Sequence, residues 1–194
     1  MRTLSEWEVG AVVEELRRRG KRSKNARQNL IIFRLSCCCG LRRAEIAALE
    51  LRDVLLSGQH SEIVVRRGKG GKRRIVPLGW SPGAVADLQR WCDERRSHGA
   101  HQGSPLICDV RKGSYGQRLD PNSIARRWRT GIKILGAVRR RQLSIHKGRH
   151  TFCSKAVRAK GLSATRDAAG HASVATTNIY LHAQEDDSSP VFNV

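Results

Sequence analysis

The stretch EIVVRRGKGGKRRIVPL, residues 62–78, sets two β-branched runs on either side of a glycine-rich turn. Short apolar runs flanking glycines free to take positive φ are the mark of a β-hairpin, and Lys69 sits at its tip. The segments around it read as helix. The expected fold class is therefore α+β and mainly helical, a helical bundle carrying one small antiparallel β-sheet or hairpin.

Working upstream, TLSEWEV (residues 3–9) offers Ser5 as an N-cap, Glu8 to complete a capping box, and Leu4 to staple against Val9. Val9, Val12, Val13 and Leu16 then recur at helical spacing before RRRGKRSK (17–24) breaks the pattern and reads as a linker. Its charges fit either a solvated loop or a phosphate contact. RQNLIIFRLSCCCG (27–40) reads as a second, largely buried helix closed by Gly40. RRAEIAALEL (42–51) reads as a short third, with Glu45 one turn from Arg42.

Downstream, Ser81 is expected to cap and Pro82 to open a helix to about Arg96, with Val85, Leu88 and Trp91 facing inward. Residues 97–119 are loop-rich and form the best internal boundary, within which PLICDV (105–110) is a candidate extra strand. Asp120 and Pro121 open the next helix, whose inward stripe is Ile124, Trp128, Ile132 and Leu135. IHKGRHTFCSKAVRA (145–159) and the segments 163–173 and 176–183 supply two or three shorter helices.

The charge balance points to a polyanion: 37 Lys and Arg against 17 Asp and Glu give +20 in 194 residues. Nucleic acid fits best, because its phosphates bind basic surfaces by counterion release. No run approaches the roughly 18 apolar residues of a membrane span, and the first residues lack a signal-peptide core. An intracellular, cytoplasmic and DNA-associated protein with no membrane partner is expected. Cys37, Cys38 and Cys39 are consecutive while Cys92, Cys108 and Cys153 stand alone, so no CxxC spacing exists. These read as reduced, buried small hydrophobes rather than zinc ligands or disulfides.

In SIHKGRHTF (144–152), His146 and Arg149 lie three apart, on one helix face with Cβ atoms about 5–6 Å apart. A guanidinium fork and an imidazole can grip one phosphate together. Taken alone, the pair is a weak signal, because such spacing arises by chance and a capped helix of a basic protein explains it better.

Four segments in sequence order decide between these readings. GLRRAEIAALELRDV, GKGGKRRIVPL, HKGRHTF and AGHASVATTNIYLH resemble the first-arginine box, the lysine hairpin, the His-x-x-Arg-His box and the His-to-Tyr segment of the tyrosine recombinases, or phage integrase family. The resemblance spans roughly residues 3–184, so 1–184 are read as one catalytic domain and 185–194 as a short C-terminal tail. It implies an active site of Arg42, Lys69, His146, Arg149, His171 and Tyr180, supported by Glu45 and His150. It further implies double-stranded DNA as substrate, self-association to a tetramer on it, a 3′-phosphotyrosyl intermediate, and no cofactor, metal or ATP. The separate N-terminal core-binding domain of many relatives is expected to be absent.

The chemistry agrees with those roles. Breaking a phosphodiester needs a nucleophile, an acid for the leaving oxygen and donors for the nonbridging oxygens. Tyr180 is the nucleophile, Arg42 and Arg149 the clamp, Lys69 the acid, and His146 and His171 further donors, one of them assisting proton transfer from Tyr180. Lys72 is the rival acid, Tyr115 the only other tyrosine, and His150 a hydrogen-bonding support. His60, His98, His101 and His182 read as surface residues. Two positions depart from the family pattern: Gly148 and Ala169 stand where leucine is frequent, and both are expected to loosen the support of the site. The competing functions are a catalytically silent DNA-binding remnant of a mobile element and a type IB topoisomerase-like relaxing enzyme. The tail, acidic and then apolar at Val191, Phe192 and Val194, is expected to dock on a neighbouring copy.

Overall fold

The computed structural model describes residues 3–57, 60–66, 68, 71–171, 176–178 and 180. Lys69, His182 and the tail lie outside them. The elements run α1 (Glu6–Gly20), α2 (Lys24–Cys37), α3 (Arg43–Ala48), β1 (Val54–Leu55), β2 (Glu62–Val65), β3 (Arg74–Pro77), α4 (Pro82–Ser97), α5 (Pro121–Gly131), α6 (Gly136–Arg141) and α7 (Ile145–Ala169). The α+β, mainly helical expectation holds.

Local chemistry explains most of the boundaries. Ser5 caps α1 and Glu8 reaches back to its amide, completing the capping box. Asp120 caps α5 by accepting from the Asn122 and Ser123 amides at 2.8 and 3.0 Å. Ser81 stands at the start of α4 with no side-chain cap bond, unlike its expected role; Pro82 in the first turn carries that start instead. The basic run 17–24 is no linker, because α1 continues through Gly20 and α2 begins at Lys24.

Helix α2 is the hub. Every residue from Gln28 to Cys37 is buried, since α1, α4, α5 and α7 all pack around it. Leu16, Ile32, Phe33, Leu88, Ile124 and Trp128 are fully enclosed in the resulting core. A smaller cluster of Phe152, Cys153, Ala156, Val157, Ala168, Ala169 and Tyr180 packs along α7. All six cysteines are free and all but Cys38 are buried, as expected of small apolar residues.

The sheet is antiparallel in the order β1-β2-β3, with Val65 opposite Arg74 and Ile63 opposite Val76. Strand β1 is too short at two residues to carry a sequence signal. Residues 105–110 do not form the candidate strand and make only isolated bridges, Glu50 to Pro105 and Cys108 to Arg118. Side chains take the carbonyls a ladder would use: Trp91 Nε1 donates to Leu106 O at 2.8 Å and Gln28 Nε2 to Cys108 O at 2.6 Å. Helix α6 was not anticipated. The two helices expected at 145–159 and from 163 both form within the span labelled α7, separated by the non-helical Gly161 with φ 81° and ψ 172°.

Candidate active site

Three chain ends meet beside the hairpin: the loop 38–42 that follows α2, the first turns of α7, and its C-terminal end at 168–171. Gly40 makes the first of these turns at φ 68°, where a Cβ would lie 2.2 Å from the Phe152 ring. The turn delivers Arg42 to the start of α3 in an extended conformation. Glu45, one turn on, accepts from the Arg42 amide at 2.8 Å and from its Nη1 at 2.9 Å. Arg42 Nη2 donates to Gly170 O at 3.4 Å.

Arg149 is buried on the second turn of α7. Its Nη1 donates to Gly40 O and its Nη2 to Ala169 O, the latter at 2.5 Å. Both bonds fix the guanidinium plane between two loops. Burial and then the neighbouring Arg42 lower its pKa to about 10, so it stays charged at neutral pH.

Glu45 serves a second arginine that sequence reasoning missed. Arg74 Nη1 and Nη2 donate to Glu45 Oε1 and Oε2 at 2.8 and 2.7 Å, and its Nε donates to Ala168 O at 2.9 Å. The available signal was register: Arg74 lies two residues from buried Val76 on β3, in phase with the inward face. Three guanidiniums against one carboxylate leave the cluster with two net positive charges, which suits a phosphate gaining charge in a transition state. Despite its own desolvation, Glu45 stays below the ordinary carboxylate pKa because Arg74 and Arg42 bond it.

The histidines take different places. His146 is largely exposed on the first turn of α7; partial desolvation of its ring, then Arg43, Arg149 and Arg42, lower its pKa. His171 follows α7, with Nδ1 3.0 Å from Thr177 Oγ1 and its ring stacked on Tyr180, centroids 6.1 Å apart and planes 9° from parallel. Burial, then Arg149, Arg42 and Arg74, bring it down to about 4. His150 lies closest to the nucleophile candidate, its Nδ1 2.5 Å from the Tyr180 hydroxyl. The Tyr180 ring is buried, and its phenol pKa is raised by burial and Cys153, partly offset by Arg149 and Arg42.

Of the expected residues, the described structure thus gathers Arg42, His146, Arg149, His171 and Tyr180 with Glu45 and His150. Lys69 is outside the described residues. Lys72 is exposed on the same hairpin, and its carbonyl accepts from the Gly68 amide at 2.9 Å. Tyr115 lies elsewhere, beside Lys24, Arg95 and His98. His60, His98 and His101 are exposed.

Gly148 corrects an expectation. A Cβ there would meet Cys37 Sγ at 2.8 Å, Ser36 Oγ at 3.0 Å and Trp128 at 3.3 Å, so α7 lies directly on α2 and α5 with no room for leucine. Trp128 fills that volume and donates from Nε1 to Ser36 Oγ at 2.7 Å. The glycine tightens the support of Arg149 rather than loosening it. Ala169 is fully buried and supplies a carbonyl to Arg149, so its small side chain leaves no slack that the structure shows.

The model of the phage integrase family matches residues 2–187. Tyrosine recombinase XerC of Chromobacterium violaceum is 36% identical over 150 residues, 77% of this chain and 46% of the relative. XerC of Pseudomonas aeruginosa is 35% identical over 160 residues, 81% of this chain and 48% of the relative. The chain spans about half the length of the curated relatives it matches. The crystal structure of XerA recombinase superposes with a TM-score of 0.74 at 26% identity, covering 99% of this chain and 65% of that one. A lambda integrase dimer bound to a COC′ core site shares the fold at a TM-score of 0.67 and 12% identity, covering 99% and 51%.

Proposed function

Because the chain belongs to the phage integrase family, the tyrosine recombinases, we propose that it carries out site-specific cleavage and rejoining of double-stranded DNA through Tyr180. The observation that carries this reading is that Arg42 and Arg149 donate to the adjacent carbonyls of Gly170 and Ala169, immediately before His171, whose ring stacks on Tyr180. Arg42 and Arg149 hold the nonbridging oxygens of the target phosphate, and His146 and His171 add donors. The Tyr180 oxygen attacks phosphorus, the bond to the 5′-oxygen breaks, and Lys69 supplies the proton that makes the free 5′-hydroxyl. The product is a 3′-phosphotyrosyl bond, which retains the phosphodiester's energy. A 5′-hydroxyl from another strand can therefore reverse the step without ATP, and no metal is needed in it. Strand exchange between two sites fits a tetramer on DNA, acting at the nucleoid in the cytoplasm. The DNA bound in relatives such as the lambda integrase dimer supports the substrate class.

A nicked duplex that loses its short 5′ fragment on cleavage tests the reading. Wild type should become covalently attached to the DNA, and Tyr180→Phe should not. Binding without trapping by either protein would leave a silent DNA-binding protein, and trapping through Tyr115 would overturn the assignment. Exchange between two sites, as opposed to relaxation of supercoils alone, separates a recombinase from a relaxing enzyme.

A further inference from the structure

We propose that His150 is the group that takes the Tyr180 proton when the phenol attacks phosphorus. The inference rests on the recombinase reading above and adds a catalytic role to a residue expected only to support the site. Its Nδ1 lies 2.5 Å from the Tyr180 hydroxyl, a hydrogen bond within reach of direct transfer.

The other histidines are committed elsewhere. His171 stacks nearly parallel to the Tyr180 ring, so its in-plane nitrogens run alongside the phenol, and Nδ1 is engaged with Thr177 Oγ1. His146 is exposed one turn before His150 and lies within electrostatic range of Arg43, Arg149 and Arg42. Cys153 also approaches Tyr180, but burial raises its pKa and keeps it a thiol, which cannot accept the proton.

A base must be neutral to work. Burial, then Lys147, His146 and Arg149 along α7, hold His150 below its ordinary pKa, and Tyr180 and His171 face it from the following segment. At neutral pH the imidazole is therefore neutral, and in the tautomer protonated at Nε2 its Nδ1 presents a lone pair to the phenol. In the forward step the Tyr180 O–H bond breaks onto Nδ1, the O–P bond forms, and the 5′-oxygen leaves with its electron pair and takes a proton from the acid. In rejoining, the incoming 5′-hydroxyl gives its proton to the now deprotonated acid and bonds to phosphorus, the P–O bond to Tyr180 breaks, and His150 returns its proton to the departing phenolate.

The test is single-turnover formation of the covalent complex on nicked duplex between pH 5.5 and 9.5, with DNA binding measured alongside. His150→Gln keeps a polar side chain of similar reach but accepts no proton. It should bind DNA normally, cleave about 10²–10⁴-fold more slowly at pH 7, and recover as rising pH ionises the phenol without help. His150→Ala should regain rate on adding imidazole, which a merely structural histidine would not show. Cleavage by His150→Gln within threefold of wild type at pH 7, or faster than wild type, would mean that the contact only holds the tyrosine, and would overturn the proposal. So would an equal loss at every pH. If wild type itself fails to trap, the recombinase reading falls and this role falls with it; wild-type trapping with an unaffected variant removes His150 alone.

Discussion

Arg74 meets both oxygens of Glu45 at 2.8 and 2.7 Å while its Nε holds the Ala168 carbonyl at 2.9 Å. One side chain from the hairpin thereby ties the start of α3, which carries Arg42, to the end of α7, which precedes His171. Side-chain exposures of 8% and 4% make this a buried ion pair, and removing one partner of such a pair is costly. Arg74→Ala should lower stability by about 2–4 kcal/mol, since Arg42 still partners Glu45. Arg74→Lys should fall between, because a single ammonium cannot span both oxygens and the carbonyl. Urea unfolding of the three proteins measures this, and equal midpoints would contradict it.

The Gly40 turn couples fold to site through one backbone oxygen. Positive φ and a Cβ placed 2.2 Å from Phe152 both disfavour Gly40→Ala, whose carbonyl also receives Arg149 Nη1. A loss of more than about 2 kcal/mol is expected, together with loss of DNA cleavage in whatever fraction stays folded. Thermal unfolding and covalent trapping report the two effects separately.

Gly148→Leu should destabilise. Its Cβ would sit 2.8 Å from Cys37 Sγ on a buried helix contact, so overpacking of about 1–3 kcal/mol is expected. Gly148→Ala should also lose stability, even though alanine gains roughly 1 kcal/mol in helix propensity. A rise in melting temperature for either variant would show that α7 can lift off α2 freely.

Acid should weaken the fold before the carboxylates titrate. His146, His150 and His171 all have native pKa values below the ordinary 6.5, and for His171 the value is about 4. Below 6.5 the unfolded chain binds protons that the native protein refuses. The histidine contribution is therefore complete above that pH and is lost as pH falls, for His171 down to about 4. With partial solvent exposure discounted, about 1–2 kcal/mol should disappear between pH 7 and 5. Glu8 and Glu45 titrate below their ordinary range and stay ionised across that window. Unfolding free energies at the two pH values check the sign, and His171→Gln should flatten part of the slope.

Amino-acid order alone determined the helix starts at Ser5 and Asp120 and the hairpin strands, and it nominated the candidate site residues, because caps, alternation and box spacing are local or one-dimensional signals. Segment 105–110 was ambiguous in sequence because a short apolar run suits a strand or a buried loop, and only Trp91 and Gln28, donating to its carbonyls, settled the matter. Arg74 looked like one more cation in a basic hairpin until Glu45, 29 residues away, was seen to bond it. Gly148 looked like a weakness until Cys37, Ser36 and Trp128 were found against it. Which of His146, His150 and His171 meets the Tyr180 hydroxyl was not legible from residue type or spacing, and the sequence favours His146 or His171 over His150. Their distances to the Tyr180 oxygen, and the charges around each, exist only once helices distant in sequence have packed.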